Sequence, residues 1–118
     1  MSHTDWLRSR TPEVPPALVS CIAELIASNT GWETLPRPEA FVAASEVLLR
    51  RVLDRNAMHR ESALDLLAAD ACVTYAFEAA SDEPHTIVDR AAQAATRIAA
   101  VAAEYAADAR QAPHAQRA

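Results

Sequence analysis

The sequence predicts an all-α protein: a small four-helix bundle-like domain preceded by an extended, proline-containing N-terminal arm. Helix-favouring residues, mainly Ala, Leu, Glu and Arg, dominate the chain, whereas glycine occurs once, at Gly31. Hydrophobic residues make up 51% of the 118 residues, which is enough for one core. Apolar side chains recur at helical spacing in four stretches. We therefore expect an arm over residues 1–15, a single helical domain over 16–110 and a flexible tail over 111–118.

The predicted arm contains Pro12, Pro15 and Pro16, which favour extended backbone over helix. Trp6 and Leu7 are bulky apolar side chains ahead of these prolines. Two interpretations follow. Either both side chains fold back on the helical domain, or Trp6 contacts a partner chain.

The first two predicted helices each carry a less polar face. In residues 16–28 this face contains Leu18, Cys21, Ile22, Leu25 and Ile26. Gly31 follows this helix, where a left-handed backbone conformation suits a helix end. Residues 38–55 begin with Pro38, which fits the first turn of a helix. The corresponding face of that helix contains Phe41, Ser45, Leu48, Leu49 and Val52.

The third predicted helix begins at residue 58 or 60, ends at residue 80 and is apolar nearly all round. Its polar residues change sides halfway along, and a helix without a continuous polar face is typical of a protein interior. We therefore expect it to be the central helix, with Leu67, Ala71 and Val73 inaccessible to solvent.

The fourth predicted helix has Ser81 or Asp82 as its N-terminal cap and Pro84 in its first turn, and it continues to about residue 110. Its apolar seam advances by four and three residues alternately, as in a coiled coil. The seam consists of Ile87, Ala91, Ala94, Ile98, Val101 and Tyr105. Such a seam is expected to pack against another helix.

Charge and cysteine content argue against several classes of function. The net charge is −5 and lysine is absent, which disfavours nucleic-acid binding. Cys21 and Cys72 lack metal-ligand spacing and are expected to be free, buried thiols. Without a Glu-x-x-His motif or a glycine-rich loop, we expect no metal and no cofactor. Neither a signal peptide nor a membrane-spanning apolar run is visible, so we expect a cytoplasmic protein without membrane contact.

The best candidate for a ligand site is an acidic stripe on the third helix. Asp70, Thr74 and Glu78 are spaced four residues apart and share one face. Arg51 and Arg55, also four apart, form a basic patch on the second helix. Within a cleft, the carboxylates could bind a divalent cation and the arginines a phosphate. The alternative is that both groups belong to an ordinary charged surface.

We expect the protein to act by protein–protein interaction, as a homodimer or as an accessory subunit of a stable complex. No complete catalytic set is present, and the outer side of the fourth helix is weakly polar around Ala100, Ala103 and Ala107. Such a face can accept a partner helix, although alanine also favours exposed helices by itself. The expected interface combines this face with Trp6. Two alternatives stay open: a small helical enzyme or ligand binder using the acidic stripe, and a DNA-binding regulator using the arginines of the second helix.

Overall fold

The structure, a computed structural model, describes residues 1–54 and 60–111. They form five α-helices: α1 (His3–Arg8), α2 (Pro16–Ser28), α3 (Arg37–Asp54), α4 (Arg60–Ala80) and α5 (Ile87–Gln111). Single-turn 3-10 helices at Trp32–Thr34 and Pro84–Thr86 precede α3 and α5. No strand occurs in these two stretches, so the predicted all-α class is confirmed. Every helix described is too short or too polar to span a lipid bilayer.

The predicted helix boundaries agree closely with the structure for α2, α3 and α4. α2 begins and ends where expected, and each end of α3 differs by one residue. Gly31 has a φ of 91°, the left-handed conformation predicted for it. The predicted flexible tail, apart from Gln111, lies outside the described residues.

The central helix is α3. α4 packs along it, and α2, α5 and the turn at Trp32–Thr34 also contact it. Phe41 and Leu48 of α3 are fully buried and form the middle of the core. Ala40 and Ala44 are equally buried, and their small side chains allow neighbouring helices to approach closely.

The prediction that α4 is the central helix is wrong. Leu67 is 61% exposed, and Ala71 and Val73 are only half-buried. The buried face of α4 is instead made of small side chains, among them Ser62, Ala68, Ala69, Cys72, Ala76 and Ala79. This face allows α4 to pack close to α3 and leaves Leu66 and Leu67 exposed. α4 therefore lacks a continuous polar face because apolar residues are exposed on its surface, and not because the whole helix is buried.

The N-terminal segment is also different from its prediction, because residues His3–Arg8 form a helix rather than an extended arm. The Ser2 side chain caps this helix by accepting a 3.0 Å hydrogen bond from the Asp5 backbone N–H. The prolines begin only at Pro12, so they leave this turn unaffected. Trp6 is 6% exposed, and its ring lies 5.5 Å from that of Phe41. Trp6 thus folds back on the domain.

The start of α5 lies later than predicted, at Ile87, because a 3-10 turn at Pro84–Thr86 precedes it. Ser81 is not a cap, since its hydroxyl donates a 2.6 Å hydrogen bond to the Glu78 carbonyl oxygen at the end of α4. The predicted seam does contain the buried residues of α5, Ala94 and Val101.

Candidate functional site

The predicted acidic stripe lies on the outer surface of α4. Asp70, Thr74 and Glu78 are all exposed. The Thr74 hydroxyl donates a 3.2 Å hydrogen bond to the Asp70 carbonyl oxygen. Glu78 accepts a 3.2 Å hydrogen bond from the Arg10 guanidinium. The stripe is thus an exposed helix face whose hydrogen bonds are made within α4 and to Arg10.

Arg51 lies in an open hollow between α2, α3 and the start of α4. The hollow has a volume of about 580 Å³, and its lining includes Arg51, Cys21, Glu24 and Asp65. No residue of the acidic stripe lines this hollow. Arg55, the other predicted arginine, lies outside the described residues. The structure therefore does not bring Arg51 together with the acidic stripe.

The two cysteines are poorly suited to nucleophilic chemistry. Burial raises the pKa of the Cys72 thiol to about 12, and the neighbouring Cys21 adds to this shift. Burial also raises the pKa of Cys21, with a further contribution from the Asp65 carboxylate. Because the thiolate is the reactive form, both side chains are held in the less reactive state. In residues 1–54 and 60–111, no group of three or more His, Cys, Asp or Glu side chains could hold a metal.

A groove runs between α4 and α5, which both pack on α3 but touch each other little. Val42 of α3, Phe77 of α4 and Ala94 of α5 line a cavity of about 30 Å³ in it. We call this feature the α4–α5 groove. A separate open hollow of about 230 Å³ lies between α3 and α5, and its lining includes Leu53 and Tyr105.

The α4 wall of the α4–α5 groove is apolar. Phe77 lines the cavity, and Val73 and Leu66 precede it by four and eleven positions, which places the three residues on one flank of α4. Leu66 is 52% exposed and Phe77 is 37% exposed. Large apolar side chains therefore face solvent along this wall.

The α5 wall is charged, and its ion pairs with α3 recur along the helix. They are Glu39–Arg90, Glu46–Arg97 and Arg50–Glu104. The residue numbers rise together on both helices, so α3 and α5 run parallel. The opposite wall, α4, runs antiparallel to both, because Phe77 lies near Val42 whereas Asp65 lies near Arg51.

Arg90 has the most partners on this wall. It donates hydrogen bonds of 3.0 Å to Glu39, 3.2 Å to Glu83 and 2.8 Å to the Thr86 hydroxyl. The second carboxylate oxygen of Glu39, Oε2, is buried and has no hydrogen-bond partner among the residues that the structure describes. At the far end of the wall, the hydrogen bond from Arg50 lowers the pKa of Glu104. Charge-assisted hydrogen bonds thus hold α5 against α3.

The residues predicted to form an interface do not share one surface. Ala100 and Ala103 are exposed on the outer side of α5, and Ala107 is half-buried. Trp6 lies in the core, where the Arg10 guanidinium covers its ring at 4.1 Å.

Sequence reasoning missed the α4–α5 groove, although the signal was present. Leu66, Val73 and Phe77 are separated by seven and four residues, which marks one apolar flank of a helix. Arg90 and Arg97 stand 51 residues after Glu39 and Glu46, which indicates two helices in parallel register. No protein-family model, curated protein or solved structure matches the chain.

Proposed function

We propose that the protein acts by binding another protein chain, and that it accepts an amphipathic helix of that chain in the α4–α5 groove. The observation that carries this proposal is the exposure of Leu66 and Phe77 on the α4 wall. Large apolar side chains gathered along a concave surface are typical of a protein-binding site.

A helix is the occupant that suits this shape. α3, α4 and α5 provide three roughly aligned helices, and a fourth lying between α4 and α5 would cover the apolar α4 wall. Recognition of an amphipathic helix by an apolar groove is a recurrent binding mode. Covering the exposed parts of Leu66 and Phe77 would contribute roughly 1–2 kcal/mol. Micromolar affinity therefore requires contacts along the whole length of the groove.

The test uses a fluorescent, designed amphipathic peptide of about 18 residues, which makes roughly 27 Å of helix. Its binding to the protein is followed by fluorescence anisotropy. Leu66→Glu should weaken binding at least about tenfold, because it places a charge in the apolar wall. Val88→Glu is the matched control: Val88 is 79% exposed on α5 outside the residues that line the groove, so binding should stay unchanged. Equal effects of the two variants, or no binding by the unmodified protein, would contradict the proposal.

Self-association is a second candidate, favoured by the outer side of α5. Ala100 and Ala103 are exposed there, as is Val88. A second copy packed on this side would bury a weakly polar helix face. Sedimentation velocity over a dilution series tests it, and Ala103→Glu should shift the protein towards monomer without unfolding it. A contact stronger than about −5.5 kcal/mol corresponds to a dissociation constant below about 100 µM. A protein that stays monomeric at about 100 µM would therefore rule out this candidate.

A further inference from the structure

We infer that the partner helix is recognised through one branched aliphatic side chain, Leu, Ile or Val, which inserts into the cavity between Val42, Phe77 and Ala94. This inference rests on the proposed function, because it names the side chain by which the α4–α5 groove recognises its helix. Its basis is the lining, the charge pairing and the size of that cavity.

The cavity combines a buried apolar lining with an exposed edge. Val42, Ala76 and Ala94 are 8%, 3% and 5% exposed, and all three line it. Phe77 and Gln93 line it as well, and both are exposed. A concave site with a buried apolar interior and an edge that faces solvent suits the anchoring side chain of a partner.

The charged side chains around the cavity are already paired with one another. Arg90 donates hydrogen bonds to Glu39 and Glu83, and Arg97 donates one to Glu46. The remaining oxygen of Glu39, Oε2, is buried and therefore out of reach of an incoming group. A charged or amide side chain would thus lose its hydration in the cavity without gaining a partner there. The cavity favours an apolar anchor.

The size of the cavity favours an aliphatic anchor over an aromatic one. Its volume of about 30 Å³ has room for one or two methyl groups. An apolar cavity that binds benzene measures roughly 150 Å³, so an aromatic ring does not fit here. Leu, Ile and Val carry methyl groups at the ends of their side chains and can place them in this space.

Leu66 defines where the bound helix makes its second apolar contact. It lies eleven positions before Phe77, which corresponds to ~16 Å along α4. A helix aligned with α4 therefore carries its anchor near Phe77 and another apolar residue about eleven positions away, opposite Leu66. Apolar residues between them, at spacings of three and four, would face Val73.

The experiment uses the designed amphipathic peptide in four versions that differ at one terminal position of its apolar stripe. That position carries Leu, Ala, Asn or Phe, and the set is made for each end of the stripe because the direction of binding is part of the measurement. Fluorescence anisotropy measures the affinity of each version for the full chain. At one end, Leu should bind at least about tenfold more tightly than Asn, which has nearly the same shape, and severalfold more tightly than Ala or Phe.

Two variants change the size of the cavity in opposite directions. Val42→Ala enlarges it and should shift the preference from Leu towards Phe severalfold. Ala94→Val partly fills it and should reduce the advantage of Leu over Ala. Val19→Ala is the matched control for Val42→Ala: Val19 is also 8% exposed but lies on α2 away from this cavity, so the preference should stay unchanged. Urea denaturation of each variant verifies that it is folded in the binding assay.

Equal affinities of the Leu, Asn and Phe versions at both ends would overturn the inference and leave the groove as a helix-binding site. The same would follow if Val19→Ala changed the preference as much as Val42→Ala does. Binding of none of the versions would overturn the proposed function as well.

Discussion

Arg90 of α5 donates a 3.0 Å hydrogen bond to Glu39 of α3, although the two residues are 51 positions apart. The same separation recurs at Glu46 and Arg97. The repetition shows that one register aligns α5 with α3 over two helical turns. It also places the charged wall of the α4–α5 groove opposite the apolar flank of α4.

Arg90→Ala should lower stability, because it removes hydrogen bonds to Glu39, Glu83 and Thr86 at a mostly buried side chain. We expect a loss of about 1 kcal/mol in the free energy of unfolding. Arg50→Ala is the control: its guanidinium pairs with Glu104 near solvent and should change the melting temperature little. Urea denaturation of both variants measures the difference. A larger effect at Arg50 than at Arg90 would mean that the register is held elsewhere.

Trp6→Ala should destabilise the domain by about 3–5 kcal/mol, as expected for a large aromatic residue removed from a core. The ring packs against Phe41 and meets Tyr75 edge-on at 6.3 Å. Leu35→Ala, at a more exposed position, should cost much less. Thermal unfolding followed by circular dichroism distinguishes the two. An unchanged melting temperature for Trp6→Ala would place this side chain on the surface.

Two neighbouring positions on α4 should respond oppositely to a glutamate. Ala68→Glu should unfold the domain or cost several kcal/mol, because Ala68 is fully buried against the core. Leu67→Glu should be tolerated, since Leu67 is largely exposed. Expression yield and urea midpoints of both variants provide the measurement. The reverse order of stability would mean that α4 is rotated relative to the structure described here.

Cysteine labelling should report the burial of Cys72. Its thiol pKa of about 12 leaves almost no thiolate at pH 8, and its side chain is fully buried. In a Cys21→Ser variant, reaction of Cys72 with a disulfide reagent should therefore require opening of the domain and accelerate with urea. Cys72→Ser should leave a thiol that reacts faster, because Cys21 is only half-buried. Rapid labelling of Cys72 in native buffer would contradict its buried position.

Local sequence signals predicted most helix ends correctly, whereas the way the helices pack was harder to predict. Pro16 and Gly31 mark the limits of the α2 region, and the seam of α5 identified Ala94 and Val101 as its buried residues. The burial of α4 was mispredicted because hydrophobicity does not reveal that an alanine face, rather than a leucine face, meets α3. Which helix faces meet depends on contacts between distant parts of the chain.

The α4–α5 groove was hidden from the sequence for a related reason. Leu66 and Phe77 are apolar and belong to a helix that the sequence predicts to be buried, so their exposure depends on how α4 packs against α3. The α1 helix is harder to predict, because its Ser2 cap is a weaker local signal than the prolines that begin at Pro12.

The most direct test of the helix-binding groove is an NMR titration of the ¹⁵N-labelled protein with the designed amphipathic peptide. The account predicts that backbone amide shifts change along Val42, Leu66, Val73 and Phe77, and that α1 and α2 change little. Leu66→Glu should abolish these changes, and Val88→Glu should preserve them. Shift changes confined to α2 or to the outer side of α5, with the groove residues unaffected, would contradict the central claim.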